Sequence, residues 1–136
     1  MWFDVRAKLA EIRGQSNAAT VPLVTYLVAP YSHPNPEIVE DRVRAADAAM
    51  IALMNAGYTV YCPVCQWHRA ALFYDVPTDA KYWREQNRAM LERLDVMHVL
   101  RLDGWLDSAG VAEEIRWARE MGLMVAEMDP LPAGNR

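Results

Sequence analysis

The chain has 136 residues with fourteen Lys and Arg against eighteen Asp and Glu, a net charge of −4, and 53% hydrophobic against 24% charged residues. That length excludes two full-sized domains, and the composition supplies one core able to bury roughly two thirds of the unfolded surface. The acidic balance argues against a nucleic-acid polymer or an anionic membrane as partner, while leaving open a small anion held at a helix end. Two cysteines and mixed charges in the opening MWFDVRAKLAEIRG point away from secretion and membrane spanning, and towards a cytoplasmic, reducing setting. Five Trp and eight Met exceed the needs of so small a core, so some should line a pocket or a subunit contact.

Residues 1–21 read as an N-terminal helical extension, with Trp2, Phe3, Val5, Leu9 and Ile12 on a helical pattern near 3–13, and 22–136 as one α/β domain. PLVTYLVA at 22–29 is a continuous apolar run suited to a strand buried on both faces. A loop from Pro30 to Pro36 follows. Val39, Val43, Ala46, Met50, Leu53 and Met54 then predict a long amphipathic helix over 36–56, with Pro36 at its first position and Gly57 at its stop. YTVYC at 58–62 is a second strand, and 64–78 reads as an irregular excursion with room for a short helix.

Thr78 or Asp79 caps a helix to about Arg93 whose apolar stripe is Trp83, Met90, Leu91 and Leu94. Asp95 opens the strand VMHVLRL. Asp107 and Ser108 offer caps for a helix from Ala109 to Met121, and LMVAEM is the last strand. The alternation predicts a single doubly wound parallel sheet, Rossmann- or flavodoxin-like, of about four to five strands with helices on both faces. Ligands of such sheets bind beyond the carboxyl ends of the strands. The loops that leave those ends here are 30–36, 63–78 and 103–110.

Three features carry chemistry. Glu114 lies on the inward stripe formed by Val111, Ile115 and Ala118, so it is either a core-edge carboxylate paired to an Arg or a site residue aimed into a cavity; Glu113 falls on the outer, solvated side. Asn87 repeats the pattern one helix earlier, either satisfying backbone or joining Tyr26 in a shared site. Ser108 and Gly110 start a helix, as a plain cap or as an anion cradle that Ser32 and His33 would complete. Cys62-x-x-Cys65-x-x-His68 lacks a fourth zinc ligand and a second pair at finger spacing; structural thiols, a thioredoxin-like pair, or His68 and Trp67 shaping a pocket wall all fit it.

The segments YLVAPYS, GYTVYCP, LERLD and VLRLDGWLDSAGVAEEIRWAREMGLMV resemble the nucleoside 2-deoxyribosyltransferase-like superfamily over residues 22–127. The nearest likeness is to small bacterial and phage members sharing L-x-G-W-x-x-S-x-G-x-x-x-E-x-x-x-A, and Ser108 to Ala118 is also similar to the 2'-deoxynucleoside 5'-phosphate N-hydrolases. The resemblance implies that Glu114 is the nucleophile at C1' of a nucleoside or its 5'-monophosphate, that Ser108 meets the 5'-phosphate, and that Tyr26 holds the nucleophile or the sugar. Asn87, eight residues before Asp95, stands where well-studied members carry an aspartate that helps the base leave. Leaving-group protonation would then fall to Asp79, Asp107, His68 or water.

The expectation is an N-glycosidic bond hydrolase or deoxyribosyltransferase with Glu114, Tyr26 and Asn87 in the catalytic group. Ser108, Gly110, Asp107, Ser32, Tyr31, Trp83, Trp105 and His68 would bind substrate, with Trp83, Trp105 and Tyr31 stacking on the base. The pattern calls for no cofactor and no metal, and the resemblance implies a homodimer or higher oligomer, with the N-terminal extension on the neighbouring subunit or over the sheet edge. Alternatives are a nucleotide-binding module without turnover and a CxxC redox or zinc protein.

Overall fold

Five consecutive residues of β1 (Val24–Val28) are apolar or β-branched, and the computed structural model, which describes residues 23–77 and 80–132, places this strand inside the sheet. Its neighbours are β2 (Thr59–Tyr61) and β3 (Val96–Leu100), and β4 (Met124–Met128) completes a four-stranded, all-parallel sheet in the order β2-β1-β3-β4. The strands alternate with helices α1 (Pro36–Asn55), α2 (Pro63–Phe73), α3 (Ala80–Leu91) and α4 (Ala109–Glu120). The doubly wound expectation holds, with four strands.

Alternate residues of the central strands feed two cores. Leu27, Val96 and Leu100 meet Val43, Ala46 and Leu53 of α1 on one face, whereas Tyr26, Val28, Met97 and Val99 meet Leu91, Val111, Trp117 and Ala118 on the other. Burial on both faces explains why β1 and β3 read as unbroken apolar runs. Asp95, which precedes β3, accepts the Val24 N–H through Oδ2 at 2.9 Å, and its own N–H donates to Val24 O at 3.0 Å, so the two strands begin in fixed register.

Asn35 caps α1 by accepting the Glu37 N–H at 3.0 Å, with Pro36 in the first turn. The segment expected to be an irregular excursion with room for a short helix carries one of 11 residues: α2 starts at Pro63, directly after Cys62, and buries Val64, Trp67 and His68. Those three have the i, i+3, i+4 spacing of a helix, which the density of aromatic and polar residues hides in the sequence. The N-terminal extension, Thr78 and Asp79 lie outside the described residues. Among the described residues no helix is long and apolar enough to cross a membrane.

One polar pair crosses the α1 side of the sheet. Thr25 Oγ1 lies 2.6 Å from His98 Nδ1, and His98 is fully enclosed, with its ring edge-on to Tyr58. Burial lowers its pKa from 6.5 to about 4, so the folded state holds the neutral ring. The unfolded chain binds the extra proton between those values, so stability falls as pH drops through that window, by about 2–3 kcal/mol for this group. Chemical denaturation at several pH values should show this loss, and His98→Gln, which keeps a polar partner for Thr25 but does not titrate, should flatten the slope. Equal slopes for both proteins would exclude His98 as its source.

Candidate active site

A cavity of about 610 Å³ opens beyond the carboxyl ends of β1, β2 and β3. Sheet order reverses between β1 and β3, where ligands of doubly wound sheets bind, and the volume suits a small organic ligand. All three expected loops contribute: Tyr31, Ser32 and His33 after β1, Pro63 and Val64 after β2, and Gly104, Asp107 and Ser108 after β3.

Helix α4 carries the acid. Ser108 Oγ accepts the Val111 N–H at 3.2 Å, and this cap aims the first turn of α4 at the cavity. Glu114 sits one turn further on, in the cavity wall. Its Oε2 is buried and has no hydrogen-bond partner, and the hydroxyl of Tyr26, a fully buried residue, is likewise unpartnered. Burial pushes the Glu114 carboxyl up to about 7; the nearby Tyr26 hydroxyl works against that rise, and Glu113 adds to it. The Tyr26 phenol is raised in turn, by burial first and then by Glu114. The paired core-edge alternative for Glu114 therefore does not describe it; a buried acid facing a cavity does.

Asn87 is buried and lines the same cavity, and its Oδ1 accepts from Tyr61 OH at 3.4 Å. That contact occupies the amide's acceptor and leaves both Nδ2 donors for other partners. Ser108, Gly110, Asp107, Ser32, Tyr31 and Trp83 all line the cavity, as expected. Trp83 does so as half of a pair: its ring stacks on Trp67 at 4.7 Å and 7°, and Tyr31 meets Trp67 edge-on at 4.8 Å.

Two expected binding residues lie elsewhere. Trp105 is not in the cavity wall, because Gly104 takes a φ of 90° and Trp105 N–H bonds to Leu102 O, a tight turn that carries the indole onto the α3/α4 core. His68 lies behind the wall, only 4% exposed, with Nδ1 at 2.8 Å from Tyr31 OH and Nε2 at 2.8 Å from Glu40 Oε1. Helix α2 turns Val64 and Trp67 towards the cavity, which leaves the adjacent His68 facing α1.

Other wall residues escaped the sequence. Glu113 is no solvated outer charge: it lines the cavity and accepts from Arg84 at 2.6 Å, with Arg116 at 3.7 Å. Trp117 forms buried wall under the guanidinium groups of Arg84 and Arg88, 5.6 and 5.3 Å from its ring. Arg42 of α1 donates to Ser32 O at 2.9 Å and to Asp103 O at 3.1 Å, tying together the loops after β1 and β3. Its only sequence signal is a charge inside an amphipathic helix, which does not distinguish a brace from a solvated residue. Cys62 and Cys65 are free, and Cys65 is held well above its ordinary pKa by the Cys62 thiol beside it, then by burial and by Asp47. That setting favours the thiol over the thiolate needed for redox or metal chemistry. Among the described residues no three His, Cys, Asp or Glu side chains converge as a metal site.

Residues 23–130 match the family described as "Domain of unknown function (DUF1937)", and the chain belongs to that family. No curated protein matches the chain.

The two glycines of the block carry different constraints. A Cβ on Gly104 would stand 2.7 Å from Arg42 Nη2 at a φ that side chains resist, whereas one on Gly110 would meet only Ser108 Oγ at 3.9 Å. Gly104→Ala should therefore destabilise the fold by about 1–2 kcal/mol. Gly110→Ala, inside α4, should be neutral or stabilising by up to about 1 kcal/mol. Urea unfolding of both variants checks the contrast; a destabilised Gly110→Ala would show that the fold itself requires that glycine.

Proposed function

We propose that this DUF1937 member cleaves the N-glycosidic bond of a nucleoside or nucleoside 5'-monophosphate, with Glu114 as nucleophile at C1', followed by hydrolysis or transfer to a second base. The observation that carries the reading is the Glu114 carboxylate in the cavity wall, whose buried Oε2 has no hydrogen-bond partner among the described residues, with Tyr26 beside it. Its sequence context, Ser108-x-Gly110-Val111-x-x-Glu114, resembles that of the deoxyribosyltransferase-like enzymes.

Cleavage builds positive charge on the sugar ring, and a desolvated carboxylate below C1' stabilises that charge far better than one in water. The nucleophile must be ionised, and burial alone opposes ionisation; a developing cation against Oε2 favours it. Attack forms a glycosyl ester at Glu114 as the base departs with the bonding electrons. Water or a second base then displaces the carboxylate. In the same cavity wall the start of α4 offers the Ser108 hydroxyl and the N–H groups of Ala109 and Gly110, which precede the helical ladder, to a 5'-phosphate. Arg42 supplies positive charge on the same wall. The Asn87 Nδ2 donors and the Trp67–Trp83 pair supply polar and flat surface for a base.

A second reading rests on Asn87 itself. An amide donates hydrogen bonds but no acidic proton, so a module that binds nucleotide without turnover also suits this wall. Calorimetry showing saturable nucleotide binding while chromatography shows no free base would favour it. Both readings suit a cytoplasmic setting and a homodimer or higher oligomer, for which the consecutive exposed Leu72, Phe73 and Tyr74 at the end of α2 offer apolar surface.

Incubation with a panel of nucleosides and their 5'-monophosphates, with free base read by chromatography, tests the proposal. Base release should fall at least about 10³-fold in Glu114→Gln, and undiminished release would overturn the assignment. In the wild type, kcat/KM should rise with pH through about 7, because the ionised carboxylate is the active form.

The same group predicts stability. Because folding raises its pKa from 4.5 to about 7, the folded state binds more protons than the unfolded state between those values, and Glu114 costs stability as pH rises through that window. Glu114→Gln should therefore stabilise the protein at pH 8 relative to pH 5, by of the order of 2 kcal/mol at most, since solvent reaches the cavity. Thermal melts at the two pH values read the difference; no gain at pH 8 would show that the carboxylate is solvated in the folded state.

A further inference from the structure

The cavity needs a proton donor for the departing base, and its wall narrows the choice. Asn87 has none to give, Glu113 is paired with Arg84, and Glu114 is committed to C1'. One wall residue is instead the end of a hydrogen-bonded chain. Tyr31 OH lies 2.8 Å from His68 Nδ1, and His68 Nε2 lies 2.8 Å from Glu40 Oε1. The imidazole is enclosed, while the Glu40 side chain is 43% exposed. Trp67 meets the Tyr31 ring edge-on, and the His68 ring packs against it at 5.5 Å. Three residues from three separate elements thus form a line ending at a phenol on the cavity wall.

We infer that Tyr31 is the acid that protonates the leaving base, loaded by His68 and with Glu40 holding the imidazolium; the inference rests on the glycosidase reading above. In the first half-reaction the C1'–N bond breaks, its electron pair goes to the base, and the base takes the Tyr31 hydroxyl proton. Tyr31 oxygen takes the His68 Nδ1 proton in the same event, leaving neutral His68 with Nε2–H donated to Glu40. In the second half-reaction water attacks C1' and its proton passes to Tyr31, whose own proton returns to His68 Nδ1. The imidazolium is restored, and the net reaction is substrate plus water giving free base plus sugar. Glu40 remains a carboxylate throughout and orients the ring, as an acid behind a catalytic imidazole does. Burial and Glu40 both raise the Tyr31 pKa, which keeps the hydroxyl protonated between turnovers. Tyr31 touches the substrate in this scheme; His68 and Glu40 act through it.

Leaving-group dependence separates this role from a structural one. The probes are the 2'-deoxynucleoside 5'-monophosphates, whose bases leave poorly without a proton, and 4-nitrophenyl 2-deoxyribofuranoside 5-phosphate, whose phenolate leaves without one. The readout is kcat/KM, which reports events up to leaving-group departure. Tyr31→Phe should lose about 10²–10³-fold on the nucleotides and far less on the nitrophenyl substrate. His68→Gln and Glu40→Gln should show smaller losses with the same contrast, whereas Glu114→Gln should fail on both. Equal losses of Tyr31→Phe on both probes, no loss on either, or the same contrast produced by replacing His33 would overturn the relay while leaving the glycosidase reading intact. Release of neither product by the wild-type chain would overturn both. Tyr31→Phe removes one oxygen from a half-buried ring, so the decisive comparison does not depend on whether His68→Gln folds.

Discussion

A carboxylate without a cation is the constraint around which this structure is arranged. Moving Glu114 out of water is costly, and among the described residues no Arg or Lys compensates its Oε2; the neighbouring groups are a phenol, Tyr26, and a second carboxylate, Glu113. Such a group persists only where the rest of the fold forces it. The forcing elements are ordinary ones: the Ser108 cap sets the phase of α4, Val111 and Ala118 lock its apolar stripe onto β1 and β3, and that phase leaves the side chain at 114 facing the cavity. Stability held in the hydrophobic core offsets an acid whose worth lies in what it meets there.

The cavity walls depend on two further solutions of the same kind. Long loops leave β1 and β3 on adjacent sides of the switch point, and backbone carbonyls at their tips would otherwise hold no fixed relation. One guanidinium, Arg42, donates to Ser32 O and Asp103 O and so defines the mouth, and Gly104 makes room for it by lacking a Cβ. On the opposite wall, α2 and α3 come from separate stretches of chain, and the stacked Trp67–Trp83 pair joins them. Aromatic stacking is directional as well as apolar, so the pair fixes spacing in addition to excluding water.

These origins explain what could be read from the sequence. The parallel sheet was legible because strands buried on both faces leave unbroken apolar runs at β1 and β3, and the cavity-facing acid because 114 shares its stripe with 111 and 118. Asn87 was legible for the same reason. The errors have a common cause too. Trp105 was placed from its nearness to a strand end, but one left-handed glycine before it reverses the chain, and periodicity does not register a single dihedral angle. Trp117 and Glu113 lie one position outside the α4 stripe, where a broad cavity widens the buried arc beyond what helical spacing marks. Arg42, Arg84, Glu40 and His68 matter through partners 10 to 61 residues distant along the chain, and no local pattern encodes such a pairing.

The cavity wall carries charges of both signs. Arg42 and the first turn of α4 contribute positive potential, Glu114 contributes negative charge when ionised, and the Arg84–Glu113 pair is neutral in sum. A ligand that is anionic throughout would be repelled by Glu114, and one that is cationic throughout would find the α4 terminus opposed to it. The ligand of the proposed function, a nucleoside 5'-monophosphate, would meet both charges at different times: its phosphate is anionic from the start, and its sugar would become cationic only as the glycosidic bond breaks. Under the proposed function the elevated pKa of Glu114 would have a place in the cycle, since a carboxylate that is poorly stabilised when the cavity is empty gains most from a positive charge that appears beside it in a transition state.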